Sequence, residues 1–166
     1  MLNKTPEIII GIDPGYGRCG FGVIIESTIG EYDSLIHGVF TTRKDQLHAK
    51  RLSEIAQDFR AIVKQYKPTV LVIEELFFAK STTTALKVAE VRGVIMMLAD
   101  ELDLRVVEVK PNEVKITITG YGKADKKQVE AMVKTIFKLK AIPKPDDAAD
   151  ALAIAWTGAV KQRFTN

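Results

Sequence analysis

"IIIGIDPGYGRCGFGVI", residues 8–24, decides the fold. Two apolar runs flank a turn rich in Gly and Pro, and the first run ends on a carboxylate, Asp13. Short apolar runs bounded by Gly and Pro read as strands, and a connection this short makes them antiparallel neighbours. Strands over 7–13 and 20–27 follow. "STIGEYD" is a second turn, because Gly, Ser and Asp supply the dihedrals that turns need, and a third strand covers 32–42. The chain therefore opens with a three-stranded meander. A carboxylate at the end of a buried strand needs a reason, since burying an unpaired charge is costly.

Beyond the meander the apolar period changes from two to about 3.6. Leu52, Ile55, Ala56, Phe59, Ile62, Val63 and Tyr66 form one stripe of a helix over 45–66, which Pro68 stops. "TVLVIEE" is a strand over 69–75. A helix capped by Ser81 runs to about Leu102, and the glycine inside it, Gly93, marks a close packing contact. "LRVVEVK" is a strand over 104–110. Residues 111–118 are a short helical or irregular piece. Val129, Met132, Val133, Ile136 and Phe137 give an amphipathic helix over 125–140, with lysines on its other face. The last helix, 146–161, is apolar nearly all round, as a buried helix is. The order predicts an α/β fold in one domain, 1–166. Its mixed five-stranded sheet has three antiparallel strands, then parallel crossovers, and is flanked by helices.

Composition narrows the chemistry. A single cysteine, Cys19, excludes an internal disulfide and a four-cysteine zinc site, and two histidines add little to a zinc site. No segment reaches membrane-spanning length and the start lacks a signal-like apolar stretch, so a cytoplasmic protein with no membrane contact is expected. The net charge is only +3 but is unevenly spread, with nine Lys or Arg against three acids in residues 110–144. Such a segment fits a polyanion partner or a solvated lysine face, and charge alone leaves both open.

Four acids stand where folding would not place them. Asp13 ends the first strand, Glu74 follows the apolar run Val70–Ile73, and Asp147 and Asp150 share one face of the last helix at i, i+3 spacing. Singly, Asp13 could open a turn, Glu74 could be an exposed strand end and Asp147 could complement a helix dipole. Asp150, inside "AADALAIAW", has no such excuse. With the first strand central and the fourth beside it, these acids meet in one cleft. Clustered carboxylates repel one another. Hard divalent cations, Mg²⁺ or Mn²⁺, make such a cluster tolerable, and two ions sharing a carboxylate suit phosphodiester cleavage. The glycines beside Asp13 are expected to keep space open for metal ions and a phosphate.

"GIDPGYGRCGFGVI", "VIEELFFAKSTTTALKVAEVRG" and "PDDAADALAIAW" together resemble the three acidic motifs of RuvC-type crossover junction endodeoxyribonucleases, over essentially the whole chain. The resemblance implies an RNase H-like fold and a Holliday junction resolvase of homologous recombination and DNA repair. Such an enzyme makes paired symmetric nicks in four-way junctions, leaving 5′-phosphate and 3′-hydroxyl ends. It implies a catalytic and metal-binding tetrad of Asp13, Glu74, Asp147 and Asp150. Two Mg²⁺ per subunit are expected, bridged by Asp13, with Mn²⁺ able to substitute. It implies junction contacts by Lys115 and Lys126 and base stacking by Phe77, although Phe78 follows directly. Lys127 neighbours Lys126 and could replace it, and Lys123 contacts phosphate or merely solvates its turn. Asp146 is read as the cap of the last helix.

The expected partners are four-way junction DNA, a second copy of the chain and the RuvA–RuvB branch-migration complex. A two-fold junction suits a homodimer, with the helix over 81–102 and its "GVIMMLA" as candidate interface; the same face could instead be buried within the subunit. Three rivals remain: an RNase H-fold nuclease acting on RNA in ribosomal RNA processing, a non-catalytic junction-binding protein, and an actin-like ATPase. For the last, the chain is too short and lacks further Gly-rich loops.

Overall fold

The computed structural model describes residues 6–76 and 82–165. The elements run β1 (Ile8–Asp13), β2 (Arg18–Thr28), β3 (Glu31–Thr41), α1 (His48–Tyr66), β4 (Val70–Glu74), α2 (Thr82–Glu101), β5 (Arg105–Val109), α3 (Pro111–Thr119), α4 (Lys126–Ile136) and α5 (Asp146–Thr165). They form one sheet in the order β3-β2-β1-β4-β5. The pairs β1–β2 and β2–β3 are antiparallel, and β1–β4 and β4–β5 are parallel. β1 is central with β4 beside it, as the meander followed by crossovers predicts.

Strand residues alternate between faces, so each central strand feeds two cores. Ile10, Ile12, Leu71 and Ile73 pack with Ile55 and Phe59 of α1 and Ile95 and Leu98 of α2. Ile9, Ile24, Val70 and Val72 pack on the other face with α3, α4 and α5, including Val114, Val133 and Leu152. Burial on both faces explains why β1 and β4 read as continuous apolar runs without a polar side.

Gly11 and Gly20 serve packing against α5, which corrects for these two the expectation that the glycines keep ligand space open. A Cβ at Gly11 would stand 2.3 Å from the Ala151 carbonyl oxygen, and one at Gly20 would stand 2.1 Å from that of Asp147. These positions let α5 lie directly on β1 and β2. A second correction concerns Gly93. Nothing lies within 4 Å of where its Cβ would be, so it makes no close contact inside the subunit.

Boundaries shift for local reasons. α1 begins at His48 and not at 45, because Arg43 to Gln46 form a turn in which the Gln46 N–H donates to the Arg43 carbonyl at 3.4 Å. β2 starts at Arg18, where pairing with Thr41 extends the ladder. Residues 111–119 are a true helix, with Pro111 at its start and Gly120 closing it in the left-handed conformation, φ 76°. α4 stops at Ile136, and Lys138 follows at φ 51°. α5 continues past 161 to Thr165. Among the described residues no helix is long and apolar enough to cross a membrane.

Candidate active site

Asp13 is the last residue of β1 and Glu74 the last of β4. The parallel ladder pairs Ile12 with Ile73, so the two carboxylates follow a matched pair at the same sheet edge. Gly20 admits the backbone of Asp147, which sets the first turn of α5 against β2, opposite Asp13 in the β1–β2 register. One turn later Asp150 reaches the same edge. Asp13, Glu74 and Asp150 line a cleft of about 190 Å³ together with Pro111, Val114 and Ile154.

Asp147 does not line that cleft. Its Oδ2 lies 3.1 Å from Arg18 Nε, an ion-pair distance. The geometry is not that of a hydrogen bond, and this buried oxygen has no hydrogen-bond partner among the described residues. Arg18 also stands 3.8 Å from Asp146. Asp146 is the first residue of α5, and its carboxylate pairs with Lys126 Nζ at 2.5 Å. Asp146 is thus an ion-pair partner in the first turn of α5. Lys126 Nζ also donates to Asp150 Oδ2 at 3.0 Å.

Burial is the largest cause that pushes the Asp13 carboxyl up to about 7, followed by the charges of Asp150, Glu74 and Asp147. Burial, then Asp150, pushes Glu74 up to about 7 as well. Asp150 is raised by burial against the opposing pull of Lys126. The bond from Lys126 holds Asp146 below the usual carboxylate range. Among the described residues no three acidic, His or Cys side chains converge as a ready metal cage. The protein's own cations, Lys126 and Arg18, pair with Asp150 and Asp147. The donor set nevertheless suits a hard divalent cation: oxygens only, carboxyls whose pKa is raised by burial and by one another, and an orphaned buried oxygen at Asp147.

Of the expected nucleic-acid residues, the described ones lie on α3, on the turn before α4 and on the first turn of α4. Lys115 follows Val114 on α3, and its ammonium makes no ion pair among the described residues. Lys123 and Lys127 are exposed on the turn before α4 and on its first turn. The Lys126 ammonium is engaged by two acids, Asp146 and Asp150. Phe77 and Phe78 lie outside the described residues. Sequence reasoning missed Arg18. The hairpin held a signal for it, because Asp13 pairs with Gly20 and Arg18 lies two residues beyond on the same strand.

The family model described as Crossover junction endodeoxyribonuclease RuvC matches residues 9–158. The chain belongs to the RuvC family. A relative so named from Thermosipho melanesiensis is 50% identical over 156 residues, covering 94% of this chain and 99% of its own. One from Thermotoga petrophila is 44% identical over 155 residues, covering 93% of each. The structure of Thermus thermophilus RuvC in complex with Holliday junction substrate matches with a TM-score of 0.90 at 31% identity, over 96% of both chains. The mixed sheet and its helices are thus those of the RNase H-like resolvases.

Proposed function

We propose that this protein is a Holliday junction resolvase, a divalent-metal-dependent endonuclease acting on four-way DNA junctions. One observation carries the reading: three carboxylates from β1, β4 and α5 face one cleft, in a chain whose family is that of the crossover junction endodeoxyribonucleases. Asp13, Glu74 and Asp150 would hold the cations, and Asp147 would join them when its orphaned oxygen leaves Arg18. Bound Mg²⁺, two ions per subunit or Mn²⁺ in its place, would supply Lewis acidity to the phosphodiester and the attacking water.

The protein's residues do the rest. The ends of β1 and β4 fix Asp13 and Glu74 on rigid strands, so the acids need little reorganisation. Lys115 and the exposed Lys123 and Lys127 neutralise phosphates of the junction arms. Lys126 reaches a phosphate only by leaving Asp146 and Asp150, so phosphate and acids compete for one ammonium. Cleavage leaves 5′-phosphate and 3′-hydroxyl ends. Stacking of Phe77 on an unpaired base, worth about 1–3 kcal/mol, is carried over from the family resemblance.

A homodimer supplies the two symmetric cuts. Its support is the outer face of α2, where Leu86 (61% exposed) and Met97 (56% exposed) flank Gly93, which has open space above it. Ile95, Leu98 and Ala99 of the same helix are buried in the subunit, so only part of "GVIMMLA" faces outward. RuvA–RuvB is proposed as a further partner on the resemblance alone.

The test offers purified protein with Mg²⁺ three substrates: a four-way DNA junction, a linear duplex and an RNA–DNA hybrid. Paired symmetric nicks confined to the junction support the proposal. Cutting of the hybrid in preference to the junction would replace it with the RNA-directed alternative.

A further inference from the structure

We propose that Arg92 is a positioning residue for Glu74, a tether from α2 that fixes the free end of β4 at the cleft. The inference rests on the nuclease reading above. Arg92 is mostly buried, with 19% of its side chain exposed. Its Nε donates to the Glu74 backbone carbonyl at 3.2 Å, and its terminal nitrogen ion-pairs with the Glu108 carboxylate on β5. One planar guanidinium therefore bridges the last residue of β4 and its neighbour strand.

The position explains why a tether is needed. The ladder between β1 and β4 ends at Ile12–Ile73, one residue before Glu74. On the other side, the Glu75 N–H donates to the Val109 carbonyl at 2.8 Å. The Glu74 carbonyl lies across that same planar peptide unit and so points away from β5. Arg92 supplies its donor. The strand assignment stops there, so Glu74 has strand support on its N-terminal side and Arg92 next to it.

The role is positional and not electrostatic. The guanidinium charge is matched by Glu108, whose own carbonyl accepts from Lys161 Nζ at 3.0 Å. Burial, then Asp150, pushes the Glu74 carboxyl up, and the Arg92 guanidinium contacts the backbone carbonyl of Glu74 and the carboxylate of Glu108. A carboxylate that must meet a cation and a phosphate tolerates little displacement: a misplacement of about 1 Å can cost 100-fold in rate. Arg92 lies between Leu86 and Met97, the exposed residues of the proposed dimer helix, so the residue that holds Glu74 is part of that element.

The experiment compares wild type, Arg92→Met and Arg92→Lys in single-turnover and steady-state cleavage of a four-way junction over a Mg²⁺ series. Amide hydrogen exchange is followed at Glu75 without substrate. The proposal expects kcat to fall about 10–100-fold in Arg92→Met with KM within about three-fold, a higher Mg²⁺ midpoint, and faster exchange at Glu75. Arg92→Lys, which keeps the charge and one donor, should restore part of kcat. Wild-type kcat in a folded Arg92→Met, or a change in KM alone, overturns the proposal. Should Arg92→Met not fold, Arg92→Lys decides: full wild-type kcat and exchange overturn it, and an intermediate kcat with faster exchange sustains it. Failure of the wild type to cut junctions would instead sink the nuclease reading, while the exchange data would still report on the tether.

Discussion

Lys126 Nζ lies 3.0 Å from Asp150 Oδ2 and 2.5 Å from Asp146 Oδ2, so a lysine expected to meet DNA sits among the acids. The protein uses its own ammonium to offset part of the repulsion in the cleft. Lys126→Ala should therefore bind Mg²⁺ or Mn²⁺ more tightly without DNA, by about three- to ten-fold, while cutting junctions more slowly. Titration calorimetry and junction cleavage check the two halves. Unchanged metal affinity would mean that the ion pairs do not oppose cation binding. Because the pairs are half exposed, their loss should cost at most about 1 kcal/mol of stability.

The raised pKa of Asp13 predicts a pH-dependent stability. Asp13 moves from an ordinary 3.8 to about 7 in the folded chain. Between those values the folded state holds a proton that the unfolded state has released, so stability falls as pH rises from about 4 to about 7. Above about 7 the loss is complete and flat. Metal-free Asp13→Asn should remove much of this slope and be more stable than wild type at pH 8, on the order of 2–4 kcal/mol. Denaturant unfolding at pH 4 and pH 8 measures it. Equal slopes in both proteins would contradict the assigned burial of charge.

Two glycines should respond in opposite directions. Gly11→Ala places a methyl against the Ala151 carbonyl and the Ala155 backbone, and should cost about 3 kcal/mol or more. Gly93→Ala enters open space on a helix, and should leave the subunit more stable by about 0.5–1 kcal/mol. Thermal unfolding compares them.

The same α2 face tests the homodimer. Gly93→Arg adds a long charged side chain between Leu86 and Met97 without touching the core. Sedimentation velocity should show monomers where wild type shows dimers, with unchanged circular dichroism. Dimers that survive the substitution place the interface elsewhere.

Much of this was legible in the sequence because it follows from period and punctuation. The two apolar runs around "DPGYGRCG" gave the central hairpin, and the apolar run before Glu74 gave the parallel neighbour. The position of Asp150 in an otherwise apolar helix marked it as a cleft residue. Long-range side-chain contacts were not legible. Nothing local in "KADKKQVE" says that Lys126 returns to Asp150, 24 residues later. Gly11 and Gly20 looked like space-makers for a ligand because the sequence does not show that α5 fills the space. Arg92 lies in the middle of a long helix, and its tie to Glu74 depends on the packing of α2 over the end of β4.

The central claim is that Asp13 belongs to a cation-dependent DNA-cutting site. Its most direct test is cleavage of a four-way junction in Mg²⁺ by wild type and Asp13→Asn, with junction binding measured alongside. The account predicts paired symmetric nicks from wild type, and intact binding with cleavage reduced by on the order of 10³-fold or more from Asp13→Asn. Cleavage by Asp13→Asn at the wild-type rate would contradict it.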